Sequence, residues 1–161
     1  VYNKAMNVTG TEHMEQLGES FGRLLRGGEV CELIGDVGAG KTTFTKGLAR
    51  GLGVHETVQS PTFTISREYD GRDGLRLVHY DFYRLDDAGI MSDELRETLS
   101  DSRTVTVIEW ADTVNAVVPA GRIAIYITLD EVDEQQRVVR VESSDPAMRK
   151  IIQEVADDFT D

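Results

Sequence analysis

Chemistry in this chain is concentrated in Gly35-Asp36-Val37-Gly38-Ala39-Gly40-Lys41-Thr42, which matches the Walker A pattern G-x-x-x-x-G-K-[ST] at every fixed position. Glycines let a backbone turn tightly and approach a ligand closely, so successive amides can converge on phosphate oxygens. A helix starting just after the loop adds its unpaired N–H groups and the positive end of its dipole. Lys41 then supplies a point charge for the outer phosphates, and the Thr42 hydroxyl is suited to a hard cation such as Mg²⁺. Asp36, Val37, Gly38, Ala39, Gly40, Lys41, Thr42 and Thr43 are therefore the expected nucleotide-binding set.

Such a loop needs a strand before it and a helix after it. Val30-Cys31-Glu32-Leu33-Ile34 reads as a short buried strand, and residues 43–52 read as a helix with Phe44, Leu48 and Leu52 on one stripe. Upstream, Met6-Asn7-Val8 suggests a strand. Thr9 and Glu12 have capping-box spacing for a helix reaching about Arg26, with Met14, Leu17, Phe21, Leu24 and Leu25 facing the core and Gly27-Gly28 as its stop. His13 on that helix and His55 in a later loop are expected to meet solvent.

Downstream lie the residues that can serve a bound triphosphate. In Ser60-Pro61-Thr62 the proline restrains the backbone, and Thr62 is either a switch residue that closes over the outer phosphate or an ordinary threonine leading into a strand. Residues 62–69 and 75–80 alternate as two strands around the turn cluster Asp70-Gly71-Arg72-Asp73-Gly74, an antiparallel hairpin over about residues 62–80. Asp81, at the end of the second strand, either orients water or metal or caps the next turn, and Arg84 is expected to reach a phosphate or a structural carboxylate. Val105-Thr106-Val107-Ile108 is an apolar strand closing on Glu109, the position at which Walker A proteins place an acid linked to the metal. Trp110 beside it belongs to the core or to the pocket wall.

A helix over Ser92–Ser100, strands over 122–129 and 137–141, and a last helix opened by Asp145-Pro146 complete the chain. The acidic end, about residues 157–161, is expected to fray, and Arg137 to lie on the surface, with a contact to nucleotide as its other reading. The 161 residues show no composition break and are read as one domain. Charged residues make up 29% and no apolar run is long enough to span a bilayer as a helix. No secretory signal is evident. Cys31 stands alone in an apolar strand, so no internal disulfide can form; it is read as packing in a cytoplasmic protein. The net charge of -12 sits mostly beyond residue 84, where seven Lys/Arg face eighteen Asp/Glu, and such a surface disfavours unaided binding to nucleic acid.

Taken together, the phosphate loop through Phe44, Ser60-Pro61-Thr62-Phe63-Thr64, His79-Tyr80-Asp81-Phe82-Tyr83-Arg84-Leu85 and Ile108-Glu109-Trp110 resemble the TsaE family, older name YjeE. The likeness covers most of the chain up to residue 129. It implies a P-loop α/β fold around a mixed sheet flanked by helices, which binds ATP with Mg²⁺. Hydrolysis is implied to be slow unless TsaB and TsaD are engaged, and the role is to support threonylcarbamoylation of adenosine 37 in tRNA without transferring the group itself. Transfer RNA would be met only through that complex. By matching motif, Lys41 and Thr42 serve phosphate and Mg²⁺, Thr62 belongs to the first switch, and Asp81 and Glu109 supply the acids. In the family the N-terminal segment contributes to adenine contacts, which brings in Thr11. Two other readings of the same loop are a small-molecule kinase, which would need an acceptor pocket, and an adaptor that holds ATP without turnover. A GTPase is disfavoured, since no N/T-K-x-D signature follows the loop.

Overall fold

The computed structural model describes residues 1–61, 64–83, 85 and 89–159. Seven strands form one mixed sheet: β1 (Tyr2–Thr9), β2 (Val30–Ile34), β3 (Ser66–Asp70), β4 (Arg76–Asp81), β5 (Thr104–Glu109), β6 (Ile123–Leu129) and β7 (Gln136–Ser143), in the order β1-β7-β6-β2-β5-β4-β3. Among the described residues the α-helices are α1 (Gly10–Leu24), α2 (Lys41–Gly51), α3 (Gly89–Ser100) and α4 (Pro146–Phe159). Strand β2, which feeds the phosphate loop, lies parallel to both β5 and β6, and β4 lies parallel to β5. Strands β3–β4, β6–β7 and β7–β1 pair antiparallel. The expected hairpin is present, with its paired register running from Ser66↔Tyr80 to Asp70↔Arg76.

The sheet has a core on each side. Cys31 and Leu33 of β2, Leu77 of β4, and Val105 and Val107 of β5 pack against Phe21 of α1 and Phe44 and Leu48 of α2, joined by Ile152 and Val155 of α4. Residues one step out of phase, Val78, Tyr80 and Ile108, face the other side and meet Leu95 of α3. Period-two alternation therefore assigns His79, Asp81 and Glu109 to the α2 side, in line with Leu77, Val105 and Val107. Cys31 is wholly buried, and burial pushes its thiol up to about 12, in keeping with a packing role.

Helices α1 and α2 touch backbone to backbone along glycines. A methyl placed on Gly18 would lie 2.8 Å from the Leu48 nitrogen, one on Gly47 would lie 2.7 Å from the Glu15 carbonyl carbon, and one on Gly22 or on Gly51 would lie 2.9 Å from the other glycine's Cα. The spacing of four in each helix puts its two glycines on one face. Arg72, in the hairpin turn, locks the far end of the pair. Its guanidinium donates to the carbonyls of Gly51 (2.6 Å), Leu25 (2.6 Å), Gly22 (3.1 Å) and Arg23 (3.3 Å), the last carbonyls of two neighbouring helices.

Several local expectations are corrected. The first strand is longer than Met6–Val8 because all eight residues of β1 pair with β7. The Thr9 side chain does not cap α1; its backbone N–H donates to His13 Nδ1 (2.9 Å), and the His13 ring stacks on Phe159 at 4.3 Å. His13 is thus a contact between α1 and α4. Helix α4 runs to Phe159 and includes Asp157 and Asp158, and residues 160 and 161 of the acidic end lie outside the described residues. Strand β3 begins at Ser66, and helix α3 begins at Gly89, ahead of the expected Ser92.

Candidate functional site

The loop after β2 folds as its glycines require. Gly38 and Gly40 take φ of +85° and +118°, a region open to glycine and resisted by other residues. A methyl on Gly38 would meet nothing within 4 Å, so that part of the backbone faces open space. The Ala39 N–H donates to the Asp36 carbonyl (3.0 Å), the Phe44 N–H to the Gly40 carbonyl (2.9 Å), and α2 begins at Lys41. Arg137 of β7 braces the loop from outside: its Nε donates to the Ala39 carbonyl at 2.9 Å, which takes it out of the plain surface role expected of it.

Lys41 is buried, and its surroundings hold the ammonium in one place. Its Nζ donates to the Gly35 carbonyl (2.5 Å), stands 3.9 Å from Glu109 Oε1 and sits over the Trp110 ring, 4.2 Å from the centroid. Glu109 Oε2 is hydrogen-bonded to His79 Nε2 at 2.6 Å. Asp81 lies directly across from Glu109 in the β4–β5 register, and its Oδ1 accepts the Tyr83 N–H at 3.0 Å. Burial raises the Asp81 carboxyl above the usual carboxylate range, the neighbouring Glu109 charge pushes the same way, and the Tyr83 amide opposes both. Trp110 takes φ of +57°, an uncommon conformation for a bulky residue, and its ring leans on Tyr83 at 4.8 Å.

These groups meet in a cleft of about 380 Å³ at the C-terminal ends of the parallel strands, the usual place for ligands in open α/β sheets. Lys41, Thr42, Thr43, Asp81, Glu109 and Trp110 all line it, with Val37, Gly38 and Gly40 along the loop edge. Ala39 turns away into a second recess of about 200 Å³, shared with Thr11 of α1, Gln135 and Arg137. Asp36 lines neither; it borders a third recess of about 170 Å³ with Glu32 and Asp112, on the far side of Lys41. Thr62 and Arg84 lie outside the described residues.

Several residues here were not singled out from the sequence: His79, Tyr83, Ser60 and the tie through Arg137. Alternation along β4 was the available signal for His79, because it places residues 77, 79 and 81 on one face. Among the described residues no group of three or more His, Cys, Asp and Glu side chains is placed to hold a metal by itself. The donor set present is one hydroxyl and two carboxylates beside a phosphate-type loop. That set suits Mg²⁺, which takes one or two carboxylates and fills its remaining positions with water and substrate phosphates.

Fold, loop and cleft together define a P-loop-type α/β protein. Residues 8–139 match the family described as "Threonylcarbamoyl adenosine biosynthesis protein TsaE", and the chain belongs to that family. Among its relatives named "tRNA threonylcarbamoyladenosine biosynthesis protein TsaE", that of Bacillus subtilis is 39% identical over 135 residues, covering 83% of this chain and 80% of the relative. That of Streptomyces coelicolor is 45% identical over 100 residues (62% and 68%), and that of Aquifex aeolicus 34% over 140 (86% and 95%). The crystal structure of Bacillus subtilis YdiB superposes with a TM-score of 0.76 at 28% identity, covering 98% of this chain and 97% of that one. Among the described residues no helix is long and apolar enough to cross a membrane.

Proposed function

We propose that this protein is a Mg²⁺-dependent ATPase, slow on its own, whose nucleotide state is read by TsaB and TsaD during threonylcarbamoylation of adenosine 37 in tRNA. The observation that carries this reading is the meeting of Lys41, Thr42, Asp81 and Glu109 in one cleft beside a loop with two left-handed glycines. On this reading the whole chain serves as one domain, works in the cytoplasm, and meets tRNA only through its partners.

The loop amides and the start of α2 receive the phosphates, and the Lys41 ammonium, held by the Gly35 carbonyl, offers its charge to the outer ones. Thr42 and Glu109 are the residues that would hold Mg²⁺, which supplies charge neutralisation for the transferring phosphoryl group. Asp81 completes the set. Its carboxylate, made more basic by burial and by Glu109, is suited to accept a hydrogen bond from the attacking water. Thr62 follows in sequence the Ser60 that lines the cleft, and would act as the switch that closes on the triphosphate. The second recess, between Thr11 and Arg137, has room for the base.

The test is phosphate release from ATP by the purified protein, alone and with TsaB and TsaD, with no small-molecule acceptor present. Slow release that accelerates with the partners and disappears in Lys41→Ala is expected. Release only with an added acceptor would identify a kinase, and tight ATP binding without release in any mixture would identify an adaptor.

A further inference from the structure

His79, on the α2 side of the sheet, is a buried polar side chain to which the hydrolysis scheme gives no part. His79 is wholly buried on β4, two residues before Asp81, and shares a face with it and with Glu109. Its Nε2 meets Glu109 Oε2 at 2.6 Å, while its Nδ1 has no hydrogen-bond partner among the described residues. A residue present only to fill the core would be better apolar, because a buried ring nitrogen without a partner is a standing cost.

The Glu109 carboxylate lies between two groups it can bond. Oε2 is engaged by the imidazole, and Oε1 stands 3.9 Å from Lys41 Nζ, well beyond the 2.7–2.9 Å of a charge-assisted hydrogen bond. Glutamate has one more rotatable bond than aspartate, so at the end of a strand it needs an anchor to keep a single direction. Without one, the attraction of opposite charges between two buried side chains draws Glu109 down onto Lys41. That collapse would take the acid from the metal position and the ammonium from the phosphates together.

We propose that His79 is a positioning residue: its hydrogen bond to Oε2 holds the Glu109 carboxylate off Lys41, so that Oε1 faces the cleft and Lys41 keeps its charge for phosphate. This rests on the reading of the cleft as a Mg²⁺–ATP site. Partners that orient the ligands of a metal characteristically change metal affinity or activity by about ten- to a hundred-fold when removed.

The experiment measures binding of a fluorescent ATP analogue across a series of Mg²⁺ concentrations, for the full chain and three variants whose folding is followed by circular dichroism. His79→Leu keeps the bulk and loses the donor. His79→Gln places an amide where Nε2 lies, and His79→Asn places one where Nδ1 lies, too short to reach Glu109. The Mg²⁺ concentration needed for half-maximal binding is expected to rise about ten- to a hundred-fold in His79→Leu and His79→Asn, with His79→Gln close to the unaltered protein. Equal Mg²⁺ requirements in all four proteins would overturn the inference, as would a His79→Gln protein no better than His79→Asn. If His79→Leu does not fold, the comparison of Gln with Asn decides by the same two outcomes. Failure of the unaltered protein to bind the analogue at any Mg²⁺ concentration would instead overturn the nucleotide reading, and the inference with it.

Discussion

Replacing Gly47 with alanine sets two physical effects against each other. In an ordinary helix the change is stabilising by about 1 kcal/mol, because alanine loses less backbone freedom than glycine on folding. Here the added methyl would lie 2.7 Å from the Glu15 carbonyl carbon, with the carbonyl oxygen closer still, where ordinary contact begins at 3.4 Å. Backbone cannot rotate aside as a side chain can, so α1 and α2 must part by about 0.7 Å or more at that carbon. Overpacking of this kind costs about 1–3 kcal/mol and sometimes more, and a clash of backbone against backbone belongs at the upper end. The net expectation is a loss of about 2 kcal/mol, or about 4–8 °C in Tm for a chain of this size. Thermal and urea unfolding followed by circular dichroism measure it, with Lys46→Ala, at an exposed neighbouring position, as a control that stays within about 0.5 kcal/mol. Because α2 carries Lys41 and Thr42 at its start, ATP binding should weaken in parallel. A Gly47→Ala protein that melts higher than the original would show that helix propensity prevails and that the close approach of α1 and α2 is not a constraint.

Arg72→Ala removes the fork that holds four terminal carbonyls of α1 and α2 and should lower stability by about 2–3 kcal/mol; Arg72→Lys should recover little of it, since an ammonium cannot span the same carbonyls. Full recovery by lysine in urea titrations would count against this account. Asp81→Asn should raise the Tm of the metal-free protein while abolishing turnover. The sign follows from the raised Asp81 carboxyl: its ionised form is disfavoured in the fold, so the stability it contributes is present in acid and lost as pH rises through its folded pKa. The advantage of asparagine should therefore be largest near neutral pH and should close below about pH 4, where the unfolded carboxyl is protonated too. An Asp81→Asn protein less stable than the original at pH 7 would contradict it.

Much of this site was legible from residue order because its parts are local. A strand, a glycine-rich loop and a helix form a contiguous segment, and Asp81 and Glu109 announce themselves as acids ending apolar runs. Which strands become neighbours is a long-range choice, and the register Asp81↔Glu109 that joins the two acids is visible only in the folded sheet. Partner-dependent details were harder still. His13 looked solvated because Phe159, on which it stacks, lies 146 positions later, and Arg137 looked like surface because its acceptor is a backbone carbonyl in the loop. The glycines of α1 and α2 are ambiguous one helix at a time. Each alone is a weak point in a helix, and only the crossing of the two shows that they are needed.

The central claim is that the Lys41 cleft is made for a triphosphate, and titration calorimetry of the full chain with ATP in excess Mg²⁺ tests it most directly, beside Lys41→Ala. Saturable one-site binding is expected, weaker in Lys41→Ala by about ten- to a hundred-fold, as loss of a charged hydrogen-bond partner of about 1.5–3 kcal/mol requires. Equal heats and equal affinity in the two proteins would contradict it.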